Sequence, residues 1–134
     1  MKHILAVIAL AFAALTLSAR EVAKNSSTGM TLSENLGVYT ITGQSGAIIL
    51  GSAKDARRFF HKANKAFARE TLNNIFSLGK DKYEVGKDDQ GLYLIKVGLG
   101  ACKIRPTDSL LFITAVEADI AADKAKRVIE VLKD

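Results

Sequence analysis

Residues 52–70 read SAKDARRFFHKANKAFARE, and their periodicity sets the terms for the chain on either side. Ala56, Phe59, Phe60, Ala63 and Phe67 recur at spacings of three and four, which gathers them on one face of an α-helix. Ser52 stands where an N-cap hydroxyl accepts from a free amide of the first turn, and Gly51 lets the chain bend sharply into it. Lys54, Arg58, His61, Lys65 and Arg69 follow the same spacing on the opposite face, flanked by Arg57 and Lys62.

This segment holds six Lys and Arg against Asp55 and Glu70, a net of +4. The whole chain has 19 Lys+Arg and 14 Asp+Glu. Residues 1–19 contain only Lys2, so the rest keeps 18 bases against the same 14 acids, again +4. The basic pI of about 9.4 therefore belongs largely to one helix. Charge concentrated in this way makes a local field that draws an anionic partner, whereas scattered charge mainly aids solubility. A merely solubilising face would interleave acids at i,i+4, and this one does not.

N-terminal to the helix, MKHILAVIALAFAALTLSA (1–19) has a positive start, an uncharged apolar run and small residues at its end. It is expected to be a secretory signal peptide cleaved near Ala19, which places the mature chain in a secreted or periplasmic setting. The run falls short of the roughly 20 residues a membrane span needs, and charges interrupt every later apolar run. Residues 20–29, REVAKNSSTG, are polar and aperiodic, and are expected to be a flexible leader. Asn25-Ser26-Ser27 within it matches a glycosylation sequon. The rest, residues 30–134, is of single-domain size and must rest on packing, because one cysteine, Cys102, allows no internal disulfide.

Between Met30 and Leu50, Val38, Thr40 and Thr42 alternate with Tyr39 and Ile41, and Ala47 to Leu50 is a short apolar run. These predict a hairpin leading into the basic helix. Beyond the helix, Leu72, Ile75, Phe76 and Leu78 extend it or pack back as a separate turn. Lys82 to Val85 and Gly91 to Leu99 flank GKDDQG, a second hairpin, with a bend at Gly98 and Gly100. LLFITAV (110–116) is a buried-strand candidate. A closing helix is expected over 117–133, its apolar stripe made of Ala118, Ala121, Ala122, Ala125, Val128, Ile129 and Leu132. GVYTIT (37–42) and GLYLIK (91–96) form a weak internal echo. The expected fold is α+β: one small domain, an antiparallel sheet of about five strands in the order ββα-βββα, and two helices packed on one face.

His61 and Cys102 are the single histidine and cysteine beyond residue 19, so a Cys–His nucleophilic pair is the one enzymatic option, and no orienting acid accompanies it. A free cysteine more often serves as a small buried hydrophobe. One His and one Cys cannot build a structural zinc site, and Asp88-Asp89-Gln90-Gly91 lacks calcium-loop spacing, so no metal or cofactor is expected. GAIILGS (46–52) has Ser52 where a phosphate-binding loop requires Lys, although the amides beginning the helix remain able to accept a generic anion.

The function these features point to is an exported, non-catalytic binding module. Its surface is Lys54, Arg57, Arg58, His61, Lys62, Lys65 and Arg69, and its partner is an acidic protein, anionic lipid or polysaccharide. Nucleic acid is not expected, because no module signature is present. The alternatives are a structural subunit assembling through its sheet and, third, a Cys–His enzyme.

Overall fold

The computed structural model describes residues 19–44, 46–69, 75–98 and 102–133. The expected signal peptide, Leu72 and Glu70 lie outside the described residues, apart from Ala19. The chain is α+β. Four strands, β1 (Arg20–Asn25), β2 (Met30–Asn35), β3 (Val38–Gly43) and β4 (Gly46–Gly51), precede helix α1 (Ala53–Ala68). Three more, β5 (Ile75–Leu78), β6 (Asp81–Asp88) and β7 (Gly91–Lys96), precede helix α2 (Pro106–Lys133).

The strands form two antiparallel meanders, β1-β2-β3-β4 and β5-β6-β7, in place of the single five-stranded sheet expected. Each strand pairs with its neighbour in sequence, and the helix crossing between β4 and β5 separates the two ladders. In the second meander the expected hairpin forms with its second strand ending at Lys96, Gly86 lying opposite Tyr93, while Leu99 and Gly100 lie outside the described residues. A Cβ at Gly86 would lie 2.8 Å from the Tyr93 ring, so the ring can cover the strand only because this residue is glycine. Beyond β7, Ile104 exchanges both backbone hydrogen bonds with Leu94, at 2.8 and 3.0 Å, and covers part of the free edge.

Residues 20–29 are not a loose leader. Arg20–Asn25 pairs with β2 across a bulge at Glu21/Ala23, and the bulge removes the alternation that would mark a strand in the sequence. The turn that follows is closed by the Gly29 amide donating to the Asn25 carbonyl at 2.8 Å. The Ser27 amide donates to the Asn25 side-chain oxygen within it.

α1 forms as its periodicity predicts. The Ser52 hydroxyl accepts from the Asp55 amide while Asp55 accepts from the Ser52 amide, a reciprocal capping box. Gly51 has φ +102, and a Cβ there would meet the Asp55 carboxylate at 2.6 Å, so the tight entry requires glycine. The buried face carries Ala56, Phe59, Phe60, Ala63, Ala66 and Phe67. Phe59 meets Tyr83 of the three-stranded sheet edge-on at 4.9 Å between centroids, and Phe60 meets Phe112 of α2 at 5.8 Å. Met30, Leu32, Ile41 and Ile48 close the core from the four-stranded sheet. Burying each large side chain contributes about 1.5–3 kcal/mol, so one helix face joins both sheets and the second helix.

LLFITAV is not a strand but the second and third turns of α2. Phe112 and Val116 are fully buried, while Leu110 and Leu111 are 60% and 40% exposed, the signature of a helix packed on one side. The start signals are local: Pro106 at the first helical position, and Asp108 accepting from the Arg105 amide at 2.8 Å. An apolar run of seven residues is compatible with either structure, and those signals settle it. LLFITAV thus supplies no counterpart of β4: among the described residues the Ile104 bridge alone follows β7 before α2, where a full strand follows β3, so the echo is not matched element for element.

The stripe from Ala118 to Leu132, expected to face the core, points to solvent. The buried side of α2 is the opposite one, Ser109, Phe112 and Val116, and every described residue from Ala121 onward is exposed. α2 packs mainly against α1 and β1.

Candidate functional site

Lys54, Arg57, Arg58, His61, Lys62, Lys65 and Arg69 are all exposed, so the capping and phenylalanine packing of α1 present the face as its spacing predicts. The structure then divides the set. The Arg57 guanidinium is paired with Glu117 of α2 at 2.9 Å, and the His61 Nε2 lies 3.6 Å from the same carboxylate. The Lys62 ammonium donates to the Ser77 carbonyl on β5 at 2.9 Å. These three therefore bind α1 to its neighbours.

The side chains of Lys54 and Lys65 make no hydrogen bond or ion pair among the described residues, and the Arg58 charge acts on the Asp55 carboxylate of its own first turn. Three cations at positions 54, 58 and 65 share one solvent-facing line with Arg69 beyond them. The one acid that faces both Arg57 and His61, Glu117, comes from the other helix, which the spacing within α1 cannot reveal. Arg58 also borders a recess of about 210 Å³ with Phe59, Leu78, Asp81 and Tyr83.

At the N-terminus of α1 the capping box takes up the Ser52 and Asp55 amides. Asp55 already accepts from the Ser52 amide and hydroxyl, at 3.0 and 2.9 Å, and these bonds hold its carboxyl below its ordinary pKa.

His61 and Cys102 are not brought together. Cys102 is 3% exposed with its Sγ 3.9 Å from the Met30 sulfur, while His61 faces Glu117 in solvent. Burial pushes the Cys102 thiol up, the Asp108 charge adds to this, and the Gly43 backbone opposes it. Among the described residues there is no group of three or more His, Cys, Asp or Glu able to hold a metal ion.

A second polar constellation escaped the sequence reading. Asp108 is fully buried, and its carboxylate accepts from the Asn25 amide nitrogen at 2.7 Å, the Thr28 hydroxyl at 2.6 Å and the Arg105 amide at 2.8 Å. The sequon nitrogen of Asn25 is thus committed to the fold. Arg105 grips Asp88 with both nitrogens, at 2.7 and 2.6 Å, and lies with Lys103 against the Tyr93 ring. The Arg105 hydrogen bonds hold the Asp88 carboxyl well below its ordinary range. An open cleft of about 310 Å³ lies beside this cluster, lined by Ser27, Thr28, Gln44, Gln90, Lys103 and Arg105. Both of its cations are already bound to Asp88. Arg105 and Asp88 are 17 residues apart, and nothing in their local pattern announces the pair.

No protein-family model matches the chain, and no curated protein matches it. No helix among the described residues is long and apolar enough to cross a membrane.

Proposed function

We propose that this chain is an exported, non-catalytic binding module that engages an anionic partner through the outer face of α1. The partner is an acidic protein, an anionic lipid surface or a polysaccharide. The observation that carries this reading is the unequal use of the polar face: Arg57, His61 and Lys62 contact α2 and β5, while Lys54, Arg58 and Lys65 are left in solvent along one line. Like-signed side chains that have no ion pair among the described residues, held on a capped helix, repel one another, and an anion relieves that repulsion. Binding through them is electrostatic, so it weakens as salt rises.

The test is retention on heparin and on anionic vesicles at low and high salt. Lys54→Glu/Arg58→Glu/Lys65→Glu should weaken binding at least tenfold, while Arg57→Gln alone changes it little. Equal binding by the triple variant and the wild type would assign the charge to solubility.

The second reading, an assembly subunit, is supported by the large apolar side chains left exposed, but these lie mostly on α2 and not on a sheet face.

A further inference from the structure

α2 is apolar on two opposite sides. Its inner side, with Phe112 and Val116, is buried. Its outer side carries Leu110, Leu111, Thr114, Ala118, Ala121, Ala122, Ala125, Val128, Ile129 and Leu132, all exposed and all within one stripe at helical spacing. The Thr114 hydroxyl donates to the Leu110 carbonyl at 3.0 Å, so that residue adds no unmet polar group. The stripe runs over 23 residues, Leu110 to Leu132, or about 33 Å for the 22 steps of 1.5 Å between them, a length uncommon for an uncovered apolar surface.

The order of side chains along it says what covers it. Leu110 and Leu111 lie at one end, Val128, Ile129 and Leu132 at the other, and Ala118, Ala121, Ala122 and Ala125 between. The pattern is close to a palindrome about the Ala121–Ala122 bond. A second copy laid antiparallel with its two-fold axis there sets Leu111 against the partner's Leu132, Thr114 against the partner's Ile129 and Ala118 against the partner's Ala125. The helices then approach closely at the alanines, with large residues filling the ends. A parallel pair would match the sizes as well, so size alone does not set the direction.

The charges beside the stripe do. Asp119 and Lys126 are seven residues apart on one flank, and Glu117 and Lys124 are seven apart on the other. In an antiparallel pair equivalent flanks face each other, and this register brings Asp119 opposite the partner's Lys126 and Glu117 opposite the partner's Lys124. A parallel pair faces unlike flanks, so Lys126 meets the partner's Lys124 and Asp119 meets the partner's Glu117. The antiparallel pair therefore has four attractive flank contacts where the parallel pair has repulsive ones. Asp119 and Glu117 already hold Arg20 and Arg57, so the flank charges set orientation and the apolar stripe supplies the affinity.

We infer that the outer stripe of α2 is the interface of an antiparallel, two-fold homodimer, in which the projecting tail 121–133 of each copy covers Leu110, Leu111 and Thr114 of the other. Each body sits on the far side of its own helix, so the bodies flank the helix pair at opposite ends. Such an interface is self-complementary, as a closed two-fold dimer requires.

The experiment is sedimentation velocity on the full chain across a range of concentration. The wild type should run at twice the monomer mass. Ile129→Glu/Leu132→Glu should halve that mass with an unchanged unfolding midpoint at matched monomer concentrations, since both residues are exposed at 54% and 79%. Direction is read by oxidative crosslinking: Leu111→Cys/Leu132→Cys should form a covalent dimer, and Leu132→Cys alone should not. A wild type that stays monomeric at its highest soluble concentration overturns the proposal. So does a charge-reversed stripe that still dimerises, efficient self-crosslinking of Leu132→Cys, or a monomer that uses the stripe to bind phosphatidylglycerol vesicles. The inference is independent of the basic face of α1: loss of heparin binding with the dimer intact would concern that face alone.

Discussion

Helix α1 divides its surface once, into a buried apolar side and a charged side in solvent, whereas α2 is apolar on two opposite sides and buries one of them. The difference shows how far periodicity can be trusted. In α1 a single stripe of phenylalanine and alanine leaves one choice of inner face, and the chain takes it. In α2 the more conspicuous stripe, from Ala118 to Leu132, is the one in solvent. The buried side is marked by Phe112 and Val116 with a fully buried Ser109, whose hydroxyl donates to Asn64 of α1 at 2.6 Å. Two stripes on one helix mean two surfaces to cover, and the described residues of this chain cover only one.

The contrast is broken most forcefully by trading large side chains between the two sides of α2. Phe112→Ala removes a fully buried ring packed on Phe60 and should cost about 3–5 kcal/mol. Leu132→Ala, 79% exposed, should stay within about 0.5 kcal/mol for the monomer. Urea unfolding at a concentration where only monomer is present reads both. Equal costs would mean that the outer stripe is covered within the same chain.

Next in size is the junction where α2 begins. Asp108→Ala leaves the Asn25 amide, the Thr28 hydroxyl and the Arg105 amide without their acceptor inside the fold. The expected loss is about 3 kcal/mol, measured the same way. The comparison sharpens if Asp55→Ala in the exposed cap of α1 costs less, about 1 kcal/mol, because water can replace that carboxylate.

The smallest effect is the pH dependence of the α2 clamp. Burial works to raise the Asp119 carboxyl, but hydrogen bonds from Arg20 and Tyr39 outweigh it and the net shift is downward. A carboxyl whose folded pKa is depressed contributes stability that is present above its unfolded value of about 3.9 and is lost as pH falls towards the folded value. The melting temperature should therefore fall below about pH 4, and less steeply in Asp119→Asn. An unchanged acid slope in that variant would place the sensitivity elsewhere, first at Asp88, whose carboxyl is also depressed. At the alkaline end, burial, aided by the Asp81 charge, pushes the Tyr83 hydroxyl up to about 12. Its contribution is present below about pH 10 and is lost as pH rises through about 12.

Much of the architecture was legible in local chemistry. The capping serine, the three phenylalanines and the outward cations of α1 follow from their spacing, and the β6–β7 hairpin follows from GKDDQG between two apolar runs. Misreadings came where a local signal was masked. The bulge in β1 hides its alternation, and its polar side chains look like linker until Arg20 is seen between Glu34 and Asp119. The β2–β3 turn uses Leu36 at φ +52 beside Gly37, where Asn-Gly would have declared it. In LLFITAV six apolar residues around one threonine outweighed the Pro-Thr-Asp-Ser start just before them.

Nearest-neighbour chemistry was therefore enough to set the class, the start of α1, the faces of its cations and the concentration of charge in a single helix, but not where α1 stops, since Ile75–Leu78 is a strand and no extension of it. Caps, turns and periodicity act over a few residues, and they survive in a linear reading. Packing alone decided that the strands form two ladders, that Glu117 neutralises Arg57, that Asp108 is a buried acceptor for three donors, and which of the two apolar sides of α2 is inside. Those outcomes depend on contacts between residues tens of positions apart. Their energies exist only once the chain has closed on itself, so no local pattern records them.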